Sequence, residues 1–373
     1  MTIYLDHAAT TPLRDEAREA WLAAQAHVGN PSSVHGAGRS ARAVVEDARE
    51  RVAAALGAHP TEVIFTSGAT EANNLAILGA SAEVVVTSPL EHHSALDPAR
   101  WLATAGAARV IETLDFTALP ERAGKRGLVS LHWVNNETGA VFDVPGIAVA
   151  AHAAGYTMHS DAVQAVPYLD VSFAGSGLDT MAVSAHKLGG PVGVGALLVR
   201  RETRLAPGVY GGGQQRFRSG TLDAAGTAAF AAALDATVAQ REAESARLAR
   251  LRDRLIEGMA RLGEVMGPGP AGSAPHIVNA VFDGARSEVM IFALDQEGIE
   301  VSSGSACTSG VVDASHVLLA LGRTQAEAEG ALRVSMGRTT SDDDVSALLE
   351  ALPSAVERSR VAHGMPRHGR GEP

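Results

Sequence analysis

Short runs of β-branched residues alternate with helix-like stretches along most of this chain, and that alternation restricts the fold more than any other feature. Near the start, Ala41, Val44, Val45, Ala48, Val52, Ala55 and Leu56 recur at helical spacing, with Gly57 placed to cap them. The strings EVIFTS, EVVVTS, ARVIE and LVSLHWV then read as strands, separated by the helix-like ATEANNLAILG and PGIAVAAHAAG. Strands interleaved with helices point to an α/β protein built on a mostly parallel sheet with helices on both faces. The alternation runs on through YTMHSDAV, LDTMAVS and VGALLVR into an alanine-rich helical tract that begins near Asp223. Its stripe of Leu248, Leu251, Leu255, Met259 and Leu262 ends where GPGPAGSAP breaks the helix. Beyond it, HIVNAVF, a helix over 288–297, IEVSSGSACTSG, a helix over 314–321, the strand ALRVSM and a helix over 342–357 suffice for a smaller α/β domain.

Composition then narrows the function. Among 373 residues, 46% are hydrophobic and 20% charged, the mix of a chain that buries a large core. A net charge of −11 with only 4% aromatics leaves weak electrostatic and stacking terms for nucleic acid, so no direct nucleic-acid partner is expected. The start, MTIYLDHAATTP, carries an aspartate and no basic stretch before an apolar run, and no run of about 18 apolar residues offers a membrane span, so the chain is expected in the cytoplasm. Its one cysteine, Cys307, can form neither an intrachain disulfide nor a cysteine-rich metal site. The basic residues include only two lysines, Lys125 and Lys187. Arginine cannot replace lysine in covalent chemistry, because the guanidinium stays protonated.

Lys125 lies in the polar turn RAGKRG and reads as a solvated side chain. Lys187 follows the strand LDTMAV among Ser184, His186 and glycines, a setting that suggests a Schiff-base lysine whose neighbours hold a phosphate. In EVIFTSGATEANN a strand meets a helix at a Ser-Gly turn, so Gly68, Ala69 and Thr70 either cradle a phosphate at the helix N-terminus or form a plain capping turn. In MHSDAVQAV, Asp161 follows a strand and Gln164 lies three residues on; the aspartate either caps the next helix or pairs with a protonated pyridine nitrogen. The adjacent histidines of EHHS lack a second ligand pair, so no metal is expected.

Ten strings follow one another in an order that resembles the cysteine desulfurases of the class V aminotransferase group, the NifS/IscS-like enzymes that use pyridoxal 5′-phosphate. They are YLDHAATTP, GNPSSVHGAGR, EVIFTSGATEANNLAI, EHHS, VNNETGAV, HSDAVQAV, SAHKLGGPVGVG, GGGQQRFRSGTL, SSGSACTSG and LRVSMGR. The resemblance implies a type I pyridoxal-phosphate-dependent transferase fold. It implies a large cofactor domain over 14–245 and a small domain from 1–13 and 246–362, while the tail HGMPRHGRGEP over 363–373 is expected to be disordered from its composition. It implies that Lys187 binds the cofactor aldehyde and moves the substrate Cα proton, that His92 stacks on the ring and assists in proton transfer, and that Asp161 holds the ring nitrogen. Gln164 would bond the ring hydroxyl oxygen, and Ala69 and Thr70 with Ser184 and His186 would bind the phosphate. Thr221 would reach the phosphate of a neighbouring subunit in a homodimer, while Asn136 and Arg333 would grip the substrate.

Cys307, in a Ser/Gly-rich stretch without apolar neighbours, would attack the sulfur of L-cysteine and carry it as a persulfide to a protein acceptor. Iron–sulfur cluster assembly or tRNA thiolation are the destinations implied. Two departures stand out: QQRF between GGG and RSGT is one residue shorter than the family pattern, which touches the role of Thr221, and His7 stands where relatives often have asparagine. The alternatives are an aminotransferase or selenocysteine lyase of the same fold, which would need no such cysteine loop, and a non-catalytic scaffold, which would bind no coloured cofactor. Borohydride reduction in the presence of pyridoxal phosphate is expected to fix the cofactor on a single peptide, the one containing Lys187. Attachment at Lys125 would contradict the assignment.

Overall fold

The computed structural model describes residues 2–304 and 314–363. The chain divides into two compact units, one of residues 10–134 and 142–242, the other of the described residues within 1–9, 135–141 and 243–373. In chain order the strands are β1 (Ile3–Tyr4), β2 (Val63–Thr66), β3 (Val84–Thr87), β4 (Arg109–Glu112), β5 (Gly127–Ser130) and β6 (Thr157–Asp161). They continue with β7 (Thr180–Ser184), β8 (Gly195–Val199), β9 (Glu264–Val265), β10 (Ile277–Val281), β11 (Ile299–Glu300) and β12 (Ala331–Ser335).

The first unit holds a seven-stranded sheet in the order β2-β8-β7-β6-β5-β3-β4. Only β8 runs against its neighbours β7 and β2; the pairings among β3 to β7 are parallel. Central strands such as VVVT and TMAVS are buried throughout, as expected where helices cover both faces. The edge strand β4, RVIE, shows exposed charged ends. The outer edge of β2 is closed by side chains instead: the Gln215 amide pairs with Phe65, its Oε1 accepting from the Phe65 N–H at 2.9 Å and its Nε2 donating to the Phe65 carbonyl at 2.9 Å. Arg49 donates to the Val63 carbonyl on the same edge and lies 4.9 Å from the Phe65 ring centroid.

Polar residues end the parallel strands that matter for chemistry: Ser130 closes β5, Asp161 closes β6 and Ser184 closes β7. Ligands of open α/β sheets bind beyond these carboxyl ends. Beyond β5 the chain still follows β6, with Leu131 N–H donating to His159 O at 3.1 Å and Trp133 N–H to Asp161 O at 2.9 Å. The expected strand LVSLHWV thus breaks after Ser130, although its alignment on β6 persists.

In the second unit β10 lies between β12 and β9 and is antiparallel to both, while β1 pairs in parallel with β11. Asp6 bridges to Ser335 and Ser302 to Arg333, which ties the N-terminal segment to β12. Residues 135–141 belong here because Val141 N–H donates to Gly272 O at 3.0 Å and Ala274 N–H to Gly139 O at 2.8 Å. Two helices run longer than their apolar periodicity predicts. Gly36–Ala55 starts early because the His35 ring accepts from the Gly38 N–H, and Asp342–Ala362 carries Pro353 within it. Among the described residues no helix is long and apolar enough to cross a membrane.

Close backbone approach explains one glycine at the head of β8. A Cβ on Gly195 would stand 2.6 Å from the Val183 carbonyl oxygen and 2.8 Å from the Gly68 Cα. Gly195→Ala is therefore expected to destabilise the protein by about 1–3 kcal/mol in urea unfolding, because backbone on both sides must shift. Unchanged stability would contradict this packing.

Candidate active site

Lys187 and Asp161 sit at the ends of adjacent strands of one sheet. Asp161 is the last residue of β6 and is 8% exposed. Its Oδ1 accepts from the Val163 N–H at 3.0 Å and its Oδ2 from Asn73 Nδ2 at 2.7 Å. Gln164, one turn further on, is buried as well. Lys187 ends the one-turn helix Ala185–Lys187 that follows β7 directly. That turn is braced by Arg14, whose main-chain N–H donates to Gly189 O at 2.8 Å and whose Nε donates to Leu188 O at 2.9 Å. Gly189 is required on two counts, a left-handed φ of +82° and an Arg14 Cγ that would lie 2.6 Å from any Cβ. His186 Nδ1 lies 3.2 Å from Thr10 Oγ1. Burial pushes the His186 pKa down to about 4, and the charge of Lys187 adds to the shift, so the ring is neutral beside the amine.

The helix Ala69–Gly79 opens at Gly68, whose φ of +148° suits only glycine and which places no side chain on the first N–H groups. Nothing lies within 4 Å of where its Cβ would be. Thr70 is exposed at this terminus, and Thr70, Asn74, His92, Ser94, Asp97 and Trp101 line a recess of about 470 Å³. Glu71 fastens the turn by accepting from the Ser67 N–H at 2.7 Å and from Arg218 Nε at 2.9 Å. Burial alone would raise the Glu71 pKa, but the bonds from Arg218 and Ser67 hold it below the usual carboxylate value. Arg218 belongs to the shortened QQRF–RSGT segment, which the Arg218–Glu71 pair and the Gln215–Phe65 pair dock against its own chain. Thr221, at its end, lies exposed.

Asn136 and Arg333 fall in the other unit. Arg333, in β12, is 4% exposed. Its Nη2 donates to Asp6 Oδ1 at 2.6 Å and its Nη1 to the Asn136 carbonyl at 3.0 Å, while Nε is buried with no partner among the described residues. Asn136 sits in a turn organised by Asn135, whose Oδ1 accepts from the Glu137 and Thr138 N–H groups at 3.0 and 2.9 Å. His7 is buried beside Gly337, and burial, reinforced by Arg338 and Arg247, lowers its pKa to about 4. Cys307 lies outside the described residues, as does the tail beyond 363.

Three residues of this region escaped the sequence reading: Asn73, Ser94 and His159. Asn73 shares a helical face with Ala69 and Ala76, and a polar residue on an apolar stripe was the available signal.

A class V aminotransferase family model matches residues 3–348. The IscS-like cysteine desulfurase of Mycobacterium tuberculosis is 46% identical over 382 residues, covering 96% of this chain and 97% of its own. A NifS-like protein of known structure superposes with a TM-score of 0.87 at 28% identity, covering 95% of this chain and 99% of its own. The structure of SspA in complex with cysteine does so with a TM-score of 0.77 at 28% identity, covering 90% and 99%. The chain belongs to the cysteine desulfurase family of class V aminotransferases, whose members depend on pyridoxal phosphate. The residues present suit that group: an uncapped helix N-terminus with open space at Gly68 for a phosphate, a lysine amine for an aldehyde, and a buried carboxylate for a ring nitrogen.

The neutral histidines predict a pH dependence. Burial holds His186 and His159 at about 4, against about 6.5 in an unfolded chain. Their contribution to stability is complete above pH 6.5 and is lost as the pH falls toward 4, because only the unfolded state takes up protons in that window. Urea midpoints are expected to drop from pH 7 to pH 4.5, less steeply in His186→Asn. Equal slopes in both proteins would contradict a neutral His186.

Proposed function

We propose that this protein is a pyridoxal-phosphate-dependent cysteine desulfurase that converts L-cysteine to L-alanine and holds the sulfur as a persulfide on Cys307. The observation that carries this reading is the placement of a lysine and a buried carboxylate at the carboxyl ends of adjacent strands, in a chain of the desulfurase family. When bound, the cofactor supplies an aldehyde for amines and a ring that takes up electrons from the substrate Cα.

The chain's own residues do the rest. Ala69, Thr70, Ser184 and His186 hold the phosphate, with Thr221 serving the neighbouring subunit of a homodimer. Asp161 pairs with the ring nitrogen, Gln164 with the ring hydroxyl oxygen, and His92 covers the ring face. Arg333 takes the substrate carboxylate with Asn136 beside it, using a planar fork that fixes orientation better than a lysine would. Lys187 would hold the cofactor by its aldehyde and move the substrate Cα proton, a service typically worth roughly 100- to 10,000-fold in rate. A neutral His186 next to it adds no repelling charge.

Cys307 acts as a thiolate on the substrate sulfur. A bond forms between the two sulfurs as the substrate Cβ–S bond breaks, and the electron pair left on Cβ ends as a C–H bond of alanine. L-Cysteine and the protein thiol thus become L-alanine and a protein persulfide, with no outside oxidant. We place this activity in the cytoplasm, with the persulfide passed to a protein acceptor of iron–sulfur cluster assembly or tRNA thiolation.

Cys307→Ser tests the reading. The variant is expected to bind pyridoxal phosphate and to change its absorbance on adding L-cysteine, yet to gain no protein-bound sulfur, since a serine hydroxyl is scarcely ionised at neutral pH. Alanine formation at the wild-type rate without added thiol would refute the mechanism.

A further inference from the structure

Behind Asp161 lies a connected set of buried polar side chains that the roles assigned above do not use. Asn73 is 0% exposed and touches three of its members. Its Nδ2 lies 2.7 Å from Asp161 Oδ2 and 2.8 Å from Ser94 Oγ, and its Oδ1 lies 3.0 Å from His159 Nε2. His159 Nδ1 in turn lies 2.9 Å from Thr180 Oγ1, and Ser94 Oγ lies 2.8 Å from His92 Nδ1. The set therefore runs from Thr180 on β7, through His159 on β6, to the helix Ala69–Gly79, and ends at both Asp161 and His92.

The bond directions follow from the Asp161 carboxylate outward, with the histidine rings neutral. A carboxylate only accepts, so the Asn73 amide must turn its NH2 toward Asp161 and its oxygen toward His159. His159 then carries its proton on Nε2. Burial lowers its pKa to about 4, so the ring is neutral and Nδ1 accepts from the Thr180 hydroxyl. The second hydrogen of the Asn73 NH2 goes to Ser94 Oγ, which leaves the Ser94 hydroxyl hydrogen for His92 Nδ1. A separate contact agrees: the Ser94 N–H also donates to His92 Nδ1, at 3.1 Å, so that nitrogen holds a lone pair. His92 accordingly bears its proton on Nε2. Asn74 steadies the same serine from the backbone side, donating to Ser94 O at 3.2 Å.

We propose that Asn73 is a positioning residue for the reaction, a single buried amide that sets the orientation of the Asp161 carboxylate and, through Ser94, the orientation and tautomer of the His92 ring. This rests on the function proposed above, in which Asp161 meets the cofactor ring nitrogen and His92 its face. Both NH2 hydrogens are spent, one on each group, so the two cannot be disturbed independently by changing Asn73. Ser94 serves only the His92 branch.

The test uses holoenzyme labelled with 15N-histidine, in wild type, Asn73→Leu and Ser94→Ala. Leucine keeps the volume of asparagine and removes all its hydrogen bonds. In wild type the His92 and His159 signals are expected to show Nε2–H tautomers. Asn73→Leu should alter both histidines, whereas Ser94→Ala should alter His92 alone. In Asn73→Leu, kcat and kcat/KM for L-cysteine should fall together by roughly 10- to 100-fold, the usual consequence of removing the partners that orient functional side chains. Altered spectra with wild-type kcat would overturn the proposal, as would an unaltered His92 signal. If Asn73→Leu does not fold, Ser94→Ala decides: a changed His92 tautomer with reduced kcat supports the proposal, and wild-type behaviour in both overturns it. Wild-type enzyme that makes no alanine would strike the proposed function instead, and would be recognised before any variant is compared.

Discussion

Keeping one carboxylate both buried and oriented is the constraint on which the rest of this site depends. A buried ionised group is tolerated only when hydrogen bonds replace its lost water, because desolvation costs several kcal/mol. Asp161 meets that condition with one bond to each oxygen, from the Val163 N–H and from Asn73. The second of these requires an asparagine inside a helix that otherwise buries alanine, leucine and isoleucine. That asparagine must itself be satisfied, and His159 and Ser94 satisfy it. A demand made by one acidic side chain thus spreads through a helix and two strands, which is the expected behaviour of buried polar groups in a low-dielectric interior.

The lysine is handled differently. Lys187 stands on a short turn, not within a strand, and a turn of this kind would be loose if left alone. Arg14 supplies two bonds to the segment after it, Val194 O accepts from the Ala185 N–H, and Gly189 admits the Arg14 side chain at a distance no other residue would allow. In the proposed role, a lysine that first holds an aldehyde and then moves a proton needs a fixed base. The chain places arginine in the bracing role.

Strand and helix order was legible because β-branched runs and helical stripes alternate so regularly, and the boundaries of β3, β7 and β8 follow from those runs. The placement of Lys187 just past β7 and of Asp161 at the end of β6 was legible in the setting of each: one of two lysines after a strand, and a carboxylate at a strand end. Asn73 was not, because its bond to Asp161 spans 88 positions and depends on how the helix Ala69–Gly79 packs on β6 and β7. Residues 135–141 show the same limit. A large domain drawn over 14–245 includes them, yet their backbone bonds run to Gly272 and Ala274, a pairing that no local pattern announces. The docking of Gln215 on Phe65, across 150 positions, was equally hidden.

Under the proposed function, the sulfur of L-cysteine moves to Cys307 as alanine forms. The most direct test is a single turnover with one equivalent of L-cysteine carrying isotopically labelled sulfur, quenched and read by intact mass and peptide mapping beside an alanine assay. The expected result is alanine in equal amount to labelled sulfur on the peptide containing Cys307. Alanine accompanied by labelled sulfide in solution, with the Cys307 peptide unmodified throughout the turnover, would contradict it.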